Sequence, residues 1–110
     1  MANRGPTISS HVLDTSRGEP VAWLSIAVSQ VGADGDEAPI GTVMTDADGR
    51  IADLLGRSLE TGRYRLRFQL GDRSSFFAAL AVDILVDDVK RSYHVPLLLS
   101  PFGLSTYLGS

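Results

Sequence analysis

From Arg63 to Leu70 the chain alternates without a break. Tyr64, Leu66, Phe68 and Leu70 are apolar or aromatic, and Arg63, Arg65, Arg67 and Gln69 between them are polar. A period of two sends successive side chains to opposite faces, so this segment fits a strand with one face in a core and one toward water. The three arginines share one face, which is expected to be solvated. Leu24, Ile26 and Val28 alternate with Trp23, Ser25, Ala27 and Ser29 in the same way, and Val82, Ile84 and Val86 mark a third such strand.

Four more segments read as strands: Ile8 to Asp14, Ile40 to Thr45, Ser92 to Leu99 and Leu104 to Tyr107. A short one is expected near Ile51 to Leu54. Turn chemistry separates them. Asp14 to Pro20 carries Gly18 and Pro20, and Gly32 to Pro39 is a long acidic loop. Asp46-Ala47-Asp48-Gly49, Thr61-Gly62, Gly71-Asp72 and Pro101-Phe102-Gly103 are turns. Seven or eight short strands, with a turn signal about every 8–12 residues, predict an all-β sandwich. No helical period persists; Ser75 to Leu80 has room for one helical turn.

The 110 residues suit a single domain, 1–110, in which Met1 to Pro6 is expected to be disordered. A chain of this size buries roughly two-thirds of its unfolded surface, enough for one core without staples. There is no cysteine, so no disulfide or thiolate metal site exists. The net charge of −3 argues against nucleic acid as a partner. Met1 to Pro6 lacks the apolar stretch of a signal peptide. No run approaches the ~18 apolar residues of a membrane span. The expected location is cytoplasmic.

Both histidines lie in the end segments, Ser9-Ser10-His11-Val12-Leu13-Asp14 and Tyr93-His94-Val95-Pro96. Taken alone, a histidine in an apolar strand is read as structural. Arg50 alone is read as solvated. Pro96 lacks an N–H and belongs at a strand edge or bulge. The turn Asp46 to Gly49 is superficially like a calcium loop, but it lacks the ligand spacing and the distal glutamate, so no metal is expected. Two histidines without cysteine make a weak zinc case. There is no Gly-x-Ser-x-Gly elbow and no glycine-rich phosphate loop.

Read together, Ser10 to Asp14, Asp48-Gly49-Arg50 and Tyr93 to Pro101 resemble the marker motifs of the transthyretin-related 5-hydroxyisourate hydrolases. The ending Ser105-Thr106-Tyr107-Leu108-Gly109-Ser110 is similar to that family's terminal signature, Tyr-Arg-Gly-Ser. The resemblance covers Ile8 to Ser110. It departs in three places. Leu108 stands where the signature has arginine, and Ser92 stands where the family usually has the first histidine of His-Tyr-His. Only Gly71 to Ser75 precedes the Phe76-Phe77 segment, so the family's short helix is expected to be reduced or absent.

The resemblance implies a transthyretin-like two-sheet sandwich of about eight strands, assembled as a homotetramer with active sites between dimers. It implies hydrolysis of 5-hydroxyisourate to 2-oxo-4-hydroxy-4-carboxy-5-ureidoimidazoline in urate breakdown, with no cofactor. It gives His11, Arg50, His94 and Ser110 catalytic roles, and Tyr107, Leu108 and Gly109 places around the substrate. Leu108 is expected to set apolar surface near the reacting ring. Opening a cyclic amide needs a base for water and donors for the oxyanion. A neutral histidine suits the first task and arginine the second; which histidine is the base stays open at this level. The rival reading is a non-catalytic small-ligand carrier, as transthyretin is, or a weakened hydrolase lacking the signature arginine. A plain interaction module would leave both end motifs unexplained.

Overall fold

A computed structural model describes residues 5–110. The expectation for Met1 to Arg4 lies outside the described residues, while Gly5 and Pro6 are partly buried and lead into the first strand.

The strands are β1 (Ile8–Asp14), β2 (Glu19–Pro20), β3 (Ser25–Val31), β4 (Glu37–Met44), β5 (Arg50–Ile51), β6 (Gly62–Gln69), β7 (Ala79–Val86), β8 (Tyr93–Leu99) and β9 (Leu104–Thr106). They form two sheets. One runs β2-β1-β8-β9, with β5 also paired to β1, and the other runs β4-β3-β6-β7. The chain is therefore the all-β sandwich that the alternation predicts.

The alternating pattern of β6 explains its placement between β3 and β7. Tyr64, Leu66 and Phe68 are buried. They meet Ile8, Val12, Leu97 and Leu99 of the facing sheet in one apolar cluster. Burying each such side chain contributes roughly 1.5–3 kcal/mol. The arginines of the other face are not simply solvated. Arg65 forks onto Asp83 at 2.6 and 2.8 Å and reaches Glu37 at 2.8 Å. Arg63 pairs with Asp83, and Arg67 with Glu37. Hydrogen bonds from Arg65 hold both the Glu37 and Asp83 carboxyls below their ordinary range.

The structure departs from the sequence reading in several details. The strand β4 begins at Glu37, inside the expected acidic loop. The register shifts between Val28 and Ser29, which face Gly41 and Pro39, so Ile40 is an extra residue on β4. Pro39 is tolerated because β4 is a sheet edge. The β5 strand is only two residues long, because the Asp53 carboxylate accepts the N–H groups of Leu55 and Gly56 and turns the chain away. The helical content expected at Ser75 to Leu80 is instead a single 3-10 turn at Gly71–Arg73. There the Ser74 hydroxyl accepts the N–H groups of Phe76 and Phe77 and leads the chain toward β7.

The end segments meet through one long-range pairing. The strands β1 and β8 run parallel, from Ile8 opposite Tyr93 to Asp14 opposite Leu99. Pro96 therefore sits within an interior strand rather than at an edge. Its missing N–H is accommodated because the ladder to β9 stops at Leu97–Thr106 and resumes as a lone bridge between His94 and Gly109. The Thr106 hydroxyl donates to the Pro96 carbonyl across that gap.

Candidate active site

The parallel register places Ser9 opposite His94 and His11 opposite Pro96. The short β5 pairing sets Arg50 opposite His11. Ile8, Ser10 and Val12 point into the sandwich and are buried, which leaves Ser9 and His11 on the outer face, half-buried. His11 and His94 are thus diagonal neighbours on one sheet face, with Arg50 on the adjoining strand.

An open cleft of about 620 Å³ covers this face. Arg50, His94, Gly109 and Ser110 line it, together with Ser9 and Asp46. His11 is not among the residues that line it; its ring is turned to the Asp46–Gly49 turn, where Nε2 lies 3.0 Å from the Asp48 carbonyl oxygen. A carbonyl only accepts, so the proton of neutral His11 is on Nε2 and the lone pair on Nδ1. Among the described residues no group of three or more metal-binding side chains gathers.

The turn that presents Arg50 is specified locally. The Asp46 carboxylate accepts the N–H groups of Asp48 and Arg50 at 2.8 and 2.9 Å. These bonds, that of Arg50 first, hold its carboxyl below the ordinary range. Gly49 has φ +74°, and a Cβ there would lie 2.6 Å from the Val12 carbonyl oxygen. Glycine is required on both counts.

His94 is held from two sides. Its Nδ1 is 2.8 Å from the Ser9 hydroxyl. The Gly109 N–H donates to its carbonyl at 2.8 Å. Burial first, then the nearness of His11 and Arg50, pushes its pKa below the ordinary histidine value.

Two expected substrate-side residues lie elsewhere. Tyr107 and Leu108 line a separate apolar groove of about 350 Å³ with Val82, Ile84, Leu85 and Val95. In register Leu108 falls opposite Val95, on the inward side of β8, so the cleft of the single chain does not include it. Trp23 and Tyr93 are also away from the cleft. Trp23 is exposed with φ +61°. The Tyr93 hydroxyl is bonded to the Asp87 carboxylate and the Asp88 backbone. Ser9 and Asp46 were not singled out by sequence. The parallel pairing that brings Ser9 to His94 has no local signature, whereas Asp46, two and four residues before the amides it caps, is readable as an Asx turn.

The model of the HIUase/Transthyretin family matches residues 8–109. The chain belongs to this family. It is similar to the 5-hydroxyisourate hydrolases of Caulobacter vibrioides (36% identity, covering 94% of this chain and 97% of the relative) and Deinococcus radiodurans (38% identity, 96% and 97%). Among solved structures it resembles the 5-hydroxyisourate hydrolase of Klebsiella pneumoniae, with TM-score 0.81, 32% identity and coverage of 96% and 94%. It also resembles sea bream transthyretin in complex with thyroxine, with TM-score 0.84, 30% identity and coverage of 93% and 93%. Backbone likeness alone therefore does not separate hydrolase from carrier in this family. The side chains of the cleft must do so.

Proposed function

We propose that this family member is a hydrolase that opens the six-membered ring of 5-hydroxyisourate to give 2-oxo-4-hydroxy-4-carboxy-5-ureidoimidazoline. The observation that carries the reading is the grouping of Arg50, His94 and Ser110 about one cleft, with His11 paired to Arg50 on the adjoining strand. The names of the relatives similar over nearly the whole chain support it.

The chemistry follows from the groups present. His94, held neutral near pH 7, takes a proton from water as that water attacks the ring carbonyl. Arg50 is permanently charged and offers planar donors to the oxyanion that develops. Collapse of the tetrahedral intermediate breaks the ring C–N bond, and the proton on His94 passes to the departing nitrogen. His11 presents its Nδ1 lone pair to a substrate N–H or to the water. The Ser110 hydroxyl donates to a substrate oxygen.

The carrier reading has less support, because an apolar ligand gains nothing from two imidazoles and a guanidinium. We place the reaction in the cytoplasm, which suits a chain without cysteine; among the described residues no helix is long and apolar enough to cross a membrane. We further propose the family's homotetrameric assembly. The strands β7 and β9 are sheet edges that leave Leu85, Tyr107 and Leu108 exposed. Exposed edges of this kind are satisfied by a second copy.

The test is the absorbance decay of freshly generated 5-hydroxyisourate with wild type, His11→Ala, His94→Ala and Arg50→Lys. Each histidine variant is expected to lose about 10²–10⁴-fold. Wild-type rates in both would sink the assignment.

A further inference from the structure

Ser9 has no part in the reaction steps above, yet its hydroxyl lies 2.8 Å from Nδ1 of His94. The two residues are 85 apart in sequence and are brought side by side by the parallel β1–β8 ladder. Nδ1 is therefore engaged at the sheet face, and Nε2 is the nitrogen left for the cleft. We propose that Ser9 is a positioning residue for His94: its oxygen accepts the Nδ1 proton and so keeps the Nε2 lone pair for the attacking water. This inference rests on the hydrolase reading.

The choice of a hydroxyl has a chemical consequence. In a Ser-His-Asp arrangement a carboxylate accepts the Nδ1 proton, holds the tautomer and stabilises the imidazolium. A serine oxygen can hold the same tautomer without adding charge. The imidazole therefore stays oriented but is not made more basic. That fits its surroundings. Its titratable and charged neighbours are His11 from β1, Arg50 from β5, Asp46 from the turn before β5, and Ser110 beyond Gly109. Among these, His11 and Arg50 act with burial to favour the neutral ring. A carboxylate at position 9 would oppose them.

The geometry also separates Ser9 from its neighbour Ser10. Ser10 is buried and its hydroxyl donates to the Val95 carbonyl at 2.7 Å, so it serves the ladder itself. Both serines touch the cleft, but Ser9 is the half-buried one on the outer face, and its hydroxyl is the one that meets His94. Two adjacent serines thus divide into one that closes a backbone gap and one that meets the histidine.

The experiment combines nitrogen-15 NMR of the imidazoles with steady-state kinetics on wild type, Ser9→Ala, Ser9→Thr and Ser9→Asp. The chain has two histidines, so His94→Ala assigns the signals. Wild type should show His94 as the Nδ1–H tautomer. Ser9→Ala should lose that preference and fall about 10- to 100-fold in kcat, the usual penalty for a misoriented group, with KM little changed. Ser9→Thr should keep both the tautomer and most of the rate. Ser9→Asp should keep the tautomer but raise the His94 pKa by about a unit or more and move the acid limb of the rate profile upward. An Nε2–H tautomer in wild type would overturn the proposal, as would unchanged nitrogen shifts and kcat in Ser9→Ala. If wild type fails to turn over 5-hydroxyisourate, the hydrolase reading falls, and the nitrogen shifts still decide whether Ser9 sets the tautomer.

Discussion

Gly109 lies against the imidazole of His94. A Cβ added at Gly109 would come within 2.8 Å of the ring's Cδ2, while the Gly109 N–H donates to the His94 carbonyl at 2.8 Å. The C-terminal segment is thereby tied to a site residue through a contact in which a side chain has no room. Glycine is needed here for close approach rather than for an unusual φ.

Gly109→Ala should therefore displace the His94 ring without disturbing the core, since Gly109 lies outside the apolar cluster. A misplacement of about 1 Å costs on the order of 10²-fold in rate. The expected result is a kcat lowered by about that factor, with a thermal midpoint close to wild type. A fully active Gly109→Ala protein would show that the ring yields freely and that its position is not critical.

The rate should depend on pH through the neutral form of His94. Its pKa is lowered by burial first, then by His11 and Arg50. For a base, a lowered pKa extends the active form to more acidic solution, so kcat/KM should stay flat through neutrality and fall only below the ordinary histidine value of about 6.5. The same shift has a stability consequence. The folded state prefers the neutral ring, so this contribution is complete above about pH 6.5 and is lost as pH falls through the lower folded value. Replacing Arg50 with Gln should raise the His94 pKa and move the acid limb toward neutrality. An acid limb that stays fixed in Arg50→Gln would show that Arg50 does not act on the ring.

Leu108 should matter more for association than for substrate. It lines the apolar groove with Ile84, Leu85 and Tyr107 and is 58% exposed in the single chain. Leu108→Arg would place a charge on that surface. Sedimentation should show weaker self-association, and KM should not improve at protein concentrations that maintain the assembly. A clear fall in KM for Leu108→Arg with unchanged association would instead place residue 108 at the substrate of an assembled site.

Part of the candidate site was legible in short motifs. His11, Arg50 and His94 stand in short segments whose residue order resembles a known family, and the structure groups them on one sheet face. Ser9 was not legible. A serine beside a second serine in a strand carries no mark of which one meets a histidine 85 residues away. The surroundings of Leu108 in the single chain were not legible either. Strand alternation would set Leu108 and Tyr107 on opposite sides, but β9 ends at Thr106 and both residues line one groove. The lone bridge between Gly109 and His94 settles the register there.

The sequence by itself determined what depends on neighbours a few residues apart. The alternation of β6 defined a buried and an exposed face. Asp46 and Gly49 defined the turn before Arg50. Both follow from the strand period and from turn chemistry, which act within one or two turns of chain. The tertiary structure alone decided which strand lies beside which. The parallel union of β1 with β8 joins segments more than eighty residues apart, and it is selected by packing Ile8, Val12, Leu97 and Leu99 into one core rather than by any local preference. Because side chains alternate with a period of two, the register of that union sets the neighbours of every residue on the outer face. It is the reason that Ser9, rather than Ser10, meets His94.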